Sequence, residues 1–288
     1  MPGSPSRVVR PVALLCAAML VLFADGCRTE PLTDLTEARR LVAELQVQFT
    51  KTVEASNRAV MADTDTASED AAREARAATS AVERTASELR RHLESLGYRD
   101  EMSRLADFAR GFEEYKGFDE QILPLAVENT NLKAQQLLFE DAQRASDEFR
   151  RAMDDAAAGL PPGRTPDPRA AAARAAIAVL ETQVILARHI PEIDAGAMAR
   201  MESEIDERRR EARSALDAAG QGTRGPAREA LDRFDAVAAR IVSLSRRNTN
   251  VQSLALSLGR KRVVTIRCDE RLDALARAVL AHGFSATR

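Results

Sequence analysis

The sequence of 288 residues has no tryptophan, only two tyrosines and only 13 glycines. Because glycine often interrupts a helix, its low number leaves long stretches of the chain free to be helical. Alanine, arginine, glutamate and leucine dominate instead, a mixture typical of long helices and coiled coils. We therefore expect an all-α protein.

Neither sign of charge is in marked excess, because the formal net charge is −2. A protein that binds nucleic acid needs a basic face for the phosphates. We therefore expect no nucleic-acid partner.

Motifs of catalysis and metal binding are also missing from the sequence. It has no glycine-rich phosphate loop, no His-Glu-x-x-His or Glu-x-x-His motif and no paired cysteines. His92, His189 and His282 lie far apart, so we interpret each as a surface or helix-interface residue rather than a metal ligand. Cys268 falls on an apolar stripe and is predicted to be a buried, inert thiol. We expect no enzymatic activity, no metal and no cofactor.

The N-terminal segment has the order of a bacterial secretory signal peptide. Arg7 and Arg10 precede the apolar run 12–24, and Ala24-Asp25-Gly26 leads to Cys27. The apolar run is too short for a membrane-spanning helix, which needs about 20 apolar residues. We therefore predict cleavage before Cys27.

Gly26-Cys27 resembles the end of the lipobox of bacterial lipoproteins. The resemblance implies that Cys27 becomes the first mature residue and carries acyl chains, which together anchor a protein durably in a membrane. Arg28, in place of the aspartate that retains such proteins at the inner membrane, favours the outer membrane in a cell with two membranes. The predicted location is the cell envelope, facing the periplasm.

Helix breakers divide the rest of the chain into long antiparallel hairpins. The predicted order is a signal peptide (1–26), a lipidated linker (27–33), a first hairpin (34–158), a linker containing proline and glycine (159–167) and a second hairpin (168–285). Apolar stripes at helical spacing support both hairpins. They comprise Leu105, Phe108, Phe112, Tyr115, Phe118, Ile122, Leu125, Leu132 and Phe139, and then Leu231, Phe234, Ile241, Leu244, Val251 and Leu258.

An internal repeat relates the two hairpins. Ile122, Leu125 and the tripeptide 129–131 recur, 119 residues later, as Ile241, Leu244 and the tripeptide 248–250. Matched apolar spacing around an identical tripeptide indicates a true duplication.

The repeated tripeptides are the sharpest candidates for a functional site. They consist of Asn129, Thr130 and Asn131 in the first hairpin and of Asn248, Thr249 and Asn250 in the second. Each first asparagine lies one heptad after an apolar position. These six residues, the belt, are therefore expected to face the bundle interior. The belt either fixes helix register, as buried asparagines do in coiled coils, or holds a small polar ligand.

Two architectures fit these patterns. Folding the hairpins places residues 129–131 beside 63–66 and residues 248–250 beside 191–196. One elongated four-helix bundle of two stacked modules is favoured, because neither tripeptide adjoins a glycine or proline. Two tandem four-helix bundles with extra turns at the belt are the alternative, which the capping-box pattern of residues 66–69 favours.

A cluster of basic residues flanks the second tripeptide. We interpret it as a solvated face that pairs with neighbouring acids such as Glu202, rather than as an anion site. Its members are Arg240, Arg246, Arg247, Arg260, Lys261, Arg262, Arg267 and Arg271.

Over residues 34–285 the chain resembles the extracytoplasmic helical sensor domains of chemotaxis receptors and sensor kinases, of the four-helix-bundle or the helical bimodular type. The likeness rests on Phe112-x-x-Tyr115, on Ile122-x-x-Leu125 and on a polar break followed by Leu137-Leu138. It implies a sensing module, although the chain lacks the family's membrane helices and signalling hairpin.

We therefore expect a lipid-anchored extracytoplasmic protein that binds a small ligand or docks on a membrane receptor or another envelope protein. The alternative is a structural lipoprotein, a rod-like spacer or scaffold in the envelope. A two-fold homodimer is the expected assembly.

Overall fold

The computed structural model describes residues 10–158, 167–219 and 224–283, with side chains from Leu32 onward apart from Ala157 and Arg224. Within these ranges the chain is helical between short turns and has no β-strand, which confirms the all-α prediction. The side chain of Cys27 and most of the predicted linker 159–167 lie outside the described residues.

Ten α-helices and two π-helical segments follow one another in the described chain. They are α1 (Arg10–Met61), α2 (Asp65–Ser95), α3 (Arg99–Glu128), α4 (Thr130–Leu137), the first π-helical segment (Leu138–Ala142), α5 (Gln143–Ala158), α6 (Pro168–His189), α7 (Ala195–Ala219), α8 (Arg224–Arg247), α9 (Thr249–Leu256), the second π-helical segment (Ser257–Lys261) and α10 (Arg262–Ala281). Residues 27–33, predicted as a linker, are part of α1.

The chain forms two compact units. Unit 1 contains the residues up to Ser56, Arg73–Asp119 and the residues from Gly259 onward, and unit 2 contains Asn57–Ala72 and Glu120–Leu258. Each unit therefore takes residues from both predicted hairpins, so the units do not coincide with residues 34–158 and 168–285.

Two extra chain reversals account for this difference. One joins α1 to α2 at residues 62–64, and the other joins α6 to α7 at residues 190–194. Thr64 caps α2, since its hydroxyl oxygen accepts a 3.1 Å hydrogen bond from the Ala67 amide. The predicted break is real, but its cap lies two residues before Thr66. Asp194 caps α7 in the same way, with its carboxylate 2.6 Å from the Ala197 amide.

Unit 1 packs α1, α2, α3 and α10 around an aromatic cluster. Phe49 of α1 meets Phe108, Phe112 and Tyr115 of α3 edge to face, with ring centres 5.8, 6.0 and 5.4 Å apart. Such rings bury large apolar areas and favour this geometry. The remaining core residues include Leu41, Leu45, Val82, Leu89, Leu93, Leu105, Val264, Cys268, Leu272 and Leu275.

Unit 2 packs α5, α6, α7 and α8 around a core rich in alanine. Small side chains let helices approach closely, and a few large residues fill the space between them. Its large buried members include Phe149, Met153, Leu186, Met201, Ile205, Leu216, Leu231, Phe234 and Ile241.

Both copies of the repeat are interrupted in the same two places. Asn129 and Asn248 have left-handed backbone angles, with φ of 52° and 51°, a conformation that asparagine adopts more easily than other residues with a Cβ atom. A helix of eight residues follows each asparagine, and a π-helical segment follows each helix, the second one kinked at Gly259 (φ −88°, ψ −109°). The 119-residue repeat is thus also a repeat of local structure.

The π-helical segments change which residues face the core. Phe139 is 72% exposed and Leu258 is 63% exposed, so their assignment to the buried stripes is wrong. A π-helical turn adds one residue to the hydrogen-bonded ring and therefore shifts the helical register. Leu138 is buried in place of Phe139.

Candidate functional site

The belt of repeated tripeptides lies inside unit 2, where the two copies contact each other. The Thr130 amide donates to the Thr249 hydroxyl oxygen at 3.1 Å, and the Thr249 amide donates to the Thr130 hydroxyl oxygen at 3.1 Å. The two hydroxyl oxygens are 3.2 Å apart. Both threonines are buried.

The asparagines extend this reciprocal pattern. The amide of Asn131 donates to Oδ1 of Asn250 at 3.1 Å, and the amide of Asn250 donates to Oδ1 of Asn131 at 3.2 Å. The side-chain amides cross over as well, from Asn131 to Asn248 and from Asn250 to Asn129, each at 2.8 Å.

Helix capping explains why these residue types are needed here. The left-handed residues interrupt the helical hydrogen-bond pattern, so the first amides of α4 and α9 lack partners within their own helices. Each helix start is capped by side chains from the other copy. The belt is therefore a pair of mutually capped helix N-termini.

The belt is also joined to the two chain reversals. Asn131 donates from its side chain to the Ile190 carbonyl oxygen at 2.7 Å, and Asn248 donates to the Glu192 carbonyl oxygen at 2.8 Å. Asn129 donates to the Asp65 carboxylate at 3.2 Å. The contacts of Asn129 with Asp65 and of Asn248 with Glu192 match the predicted neighbours, whereas the contact of Asn131 with Ile190 was not predicted.

Most hydrogen-bonding groups of the belt are therefore bonded to other groups of the belt. The described surface cavities of unit 2 are lined by residues outside the belt. The geometry favours the register interpretation over a ligand at this position, since a ligand site needs unused polar groups that converge on a cavity.

A second buried polar cluster lies in unit 1 and was missed in the sequence. Lys261 is only 1% exposed, and its ammonium donates to the Ser56 hydroxyl and to the Asp119 carboxylate. Ser56 donates to the same carboxylate oxygen at 2.7 Å. The Lys261 nitrogen also lies 4.7 Å from the centre of the Tyr115 ring. The prediction of a solvated Lys261 is therefore wrong.

Burial dominates the electrostatics of this cluster. Loss of hydration lowers the pKa of Lys261, against the opposing effect of the Asp119 charge. Burial, followed by the Asp119 charge, raises the pKa of Tyr115 far above its usual value. The Tyr115 hydroxyl and Oδ2 of Asp119 are buried without a hydrogen-bond partner.

The repeat shows that the fold does not need these charges. Residues 119 positions away from Tyr115 and Asp119 are Phe234 and Ala238, and the residue 119 positions before Lys261 is Ala142. These three are buried in the apolar core of unit 2. Comparing the two copies position by position would have revealed the cluster, because Asp119 is a charged residue at a position that is apolar in the other copy.

Arg246 and Arg267 of the predicted basic cluster pair with acids, as expected, whereas Arg271 binds a backbone carbonyl oxygen. Arg246 binds Glu202 at 2.8 Å, and Arg267 lies 3.1 Å from Glu114. Arg271 donates to the Asp107 carbonyl oxygen at 2.9 Å. These contacts support a charged face rather than an anion site for the exposed arginines.

Each histidine contacts a carboxylate. The distances are 2.8 Å for His92–Asp34, 3.1 Å for His189–Glu202 and 2.9 Å for His282–Glu101. The described residues contain no group of three or more side chains suited to hold a metal ion.

Cys268 is buried as predicted, and burial raises the pKa of its thiol to about 11, which disfavours the reactive thiolate.

The third feature is an apolar stripe on the outer face of α6. Ile177, Leu180 and Val184 are 54, 46 and 61% exposed, although the opposite face of α6 is buried in unit 2. Ile185 of α6 and Arg208 of α7 border a shallow groove along the stripe. By length and composition alone, α6 is also the one helix among the described residues that could cross a membrane, but ten of its residues are buried in the bundle.

No protein-family model matches this sequence, and no curated protein shows significant similarity to it.

Proposed function

We propose that the protein is a membrane-tethered, non-enzymatic helical module that docks on another helix through the exposed stripe of α6. The observation that carries this proposal is a helix with two apolar faces, of which only one is covered by the described residues. A helix that is apolar on both sides normally has a packing partner on each.

The spacing of the stripe is that of a helix–helix seam. Ala173, Ile177, Leu180, Val184 and Ala187 are all exposed and follow one another at intervals of four, three, four and three residues. This alternation is the 3.5-residue period that keeps a seam facing a partner helix. The stripe therefore fits a helix better than a flat or irregular partner.

The contact is expected to be weak. Covering the exposed parts of the three aliphatic side chains would contribute about 3 kcal/mol, given 1.5–3 kcal/mol for each full burial. Association in solution also costs translational and rotational freedom. A tether that confines both partners to one membrane raises their effective concentration and makes such a contact useful.

The sequence around Cys27 supplies a candidate for that tether, because its order is that of a lipoprotein signal. Acyl chains on Cys27 would place the mature helical units at a membrane surface in the cell envelope.

A photo-crosslinking amino acid at Ile177, in the full chain expressed in intact cells, tests the docking proposal. We expect a discrete adduct, because Ile177 lies in the middle of the stripe. Val184→Asp should remove the adduct, since it places a charge in the seam. Val263→Asp is the matched control, because Val263 is an equally exposed valine on α10. Absence of any adduct, or equal adducts in both variants, would overturn the proposal.

The belt favours the scaffold alternative in one respect, because its polar groups fix helix positions. Thermal unfolding of the chain with a panel of carboxylates, amino acids and amines separates that role from ligand sensing. A saturable rise in Tm with one compound class would support sensing. An unchanged Tm across the panel would favour scaffolding and docking.

A further inference from the structure

We infer that the helix that docks on the α6 stripe is α6 of a second copy of this chain, arranged in parallel. This inference rests on the proposed docking function and names its partner. It follows from the residue types in the seam, from the charges beside it and from the direction in which a membrane tether presents the helix.

The seam residues are those of a two-stranded parallel pair. With Leu180 at a d position, the flanking a positions are Ile177 and Val184, and Ala173 and Ala187 occupy the outer d positions. β-Branched residues at a with leucine at d favour parallel dimers over higher assemblies. The same stripe on both copies also satisfies the requirement that a two-fold interface be self-complementary.

The residues beside the seam favour the parallel direction. Arg174, Glu181 and Arg188 are the e positions, whereas the g positions, Ala176 and Gln183, are uncharged. In a parallel pair each e residue faces a g residue of the other copy, so no like charges meet.

An antiparallel pair centred on Leu180 would bring like charges together. Each e residue would then face an e residue of the other copy, so Arg174 would approach Arg188 and Glu181 would approach its own equivalent. Like charges placed opposite one another in this way are unfavourable. Glu181 is compensated by Arg208 at 3.3 Å, whereas neither Arg174 nor Arg188 forms an ion pair within the described residues, so the repulsion in an antiparallel pair would come from the two arginines.

The fold of one copy already holds α6 as a helix, which a seam of this length could not do by itself. Residues 173–187 make about two heptads, roughly 20 Å of helix, which is marginal for an isolated helix in water. However, α6 is already folded against the core of unit 2, so pairing does not have to form the helix. Two copies tethered to one membrane by the same residue also present α6 in the same direction.

Disulfide mapping in the full chain, reconstituted in lipid vesicles and with Cys268→Ser as background, tests this inference. Ala173→Cys and Ala187→Cys place a thiol at either end of the seam. Both are exposed alanines, so the fold should tolerate them, and circular dichroism checks that it does. Ser203→Cys, an exposed residue on α7, is the matched control.

In a parallel pair each seam variant forms a disulfide with its own equivalent, at a yield about tenfold above Ser203→Cys because identical positions face each other. A disulfide that forms only when the two seam variants are mixed would show an antiparallel pair and overturn the inference. Yields no higher than the control would also overturn it.

The Ile177 adduct separates failure of this inference from failure of the proposed function. If the disulfides fail but the adduct persists with a mass other than twice that of the chain, docking stands and the second copy is excluded. If both fail, docking through α6 is excluded as well.

Discussion

Lys261 and Asp119 form a buried ion pair at a position where the other copy of the repeat has alanines. A buried pair is costly to desolvate, and replacing both members with apolar residues is often neutral or stabilising. The pair is therefore better explained by a specific arrangement of α10 against α1 and α3 than by stability.

Lys261→Met should lower the free energy of unfolding by about 3–5 kcal/mol, because it leaves Asp119 charged and uncompensated in the core. The double variant Asp119→Ala/Lys261→Met should recover most of this loss. Urea unfolding followed by circular dichroism measures both. Arg267→Met is the control, because it breaks a half-exposed pair worth at most about 1 kcal/mol. A double variant as unstable as the single one would contradict the argument.

The raised pKa of Tyr115 predicts that the protein loses stability at high pH. Its pKa is raised in the folded state, so the folded protein keeps the phenolic proton after the unfolded chain has released it. The contribution is complete below pH 10 and is lost as the pH rises above 10, by up to about 1.4 kcal/mol per pH unit. Tyr115→Phe should reduce the slope of unfolding free energy against pH in this range. Urea unfolding at several pH values measures the slope, and an unchanged slope in Tyr115→Phe would contradict the argument.

At the scale of helices, the periodicity of apolar residues predicted much of the fold. It did not predict which residues face the core where the helical register shifts. The apolar stripes, the neighbours of the belt and the break near residue 64 are all recoverable from spacing and capping chemistry. The exposure of Phe139 and Leu258 is not, because a π-helical turn adds a residue without requiring a particular side chain. The sequence predicts a solvated Lys261 because charged helix faces usually are solvated, and its partner Asp119 lies 142 residues away in sequence, so no local pattern reports the pair. The reciprocal capping of the belt depends on contacts between residues 119 apart, which no local pattern reports.

Thr249→Val should lower the free energy of unfolding by about 1–2 kcal/mol, because the buried Thr130 amide loses its hydrogen-bond acceptor. Thr249→Ser keeps the hydroxyl and should cost much less. The reciprocal variant Thr130→Val should have a similar effect, and the double variant should cost less than the two single losses combined, since both belong to one network. Strict additivity in urea unfolding would show that the two caps act independently.

At the scale of the whole molecule, the proposed lipid tether would compensate for the weakness of the proposed α6 contact. A seam of two heptads gives too little free energy for a tight complex in dilute solution, whereas confinement to a membrane supplies the missing concentration. Membrane attachment and docking are therefore expected to be lost together in a variant that removes only the lipid, although the α6 stripe stays intact. This coupling distinguishes a membrane-dependent module from a scaffold that works by size alone.

Cys27→Ser should block fatty-acid labelling and move the chain from the membrane fraction to the soluble fraction, because the proposed acylation site is removed. The Ile177 adduct should then fall sharply, although α6 itself is unchanged. Cys268→Ser is the matched control, since it removes a buried thiol and should preserve labelling, fractionation and the adduct. Persistent labelling in Cys27→Ser would exclude Cys27 as the lipid site. An undiminished adduct in the released protein would instead show that the α6 contact is strong enough to form without a membrane.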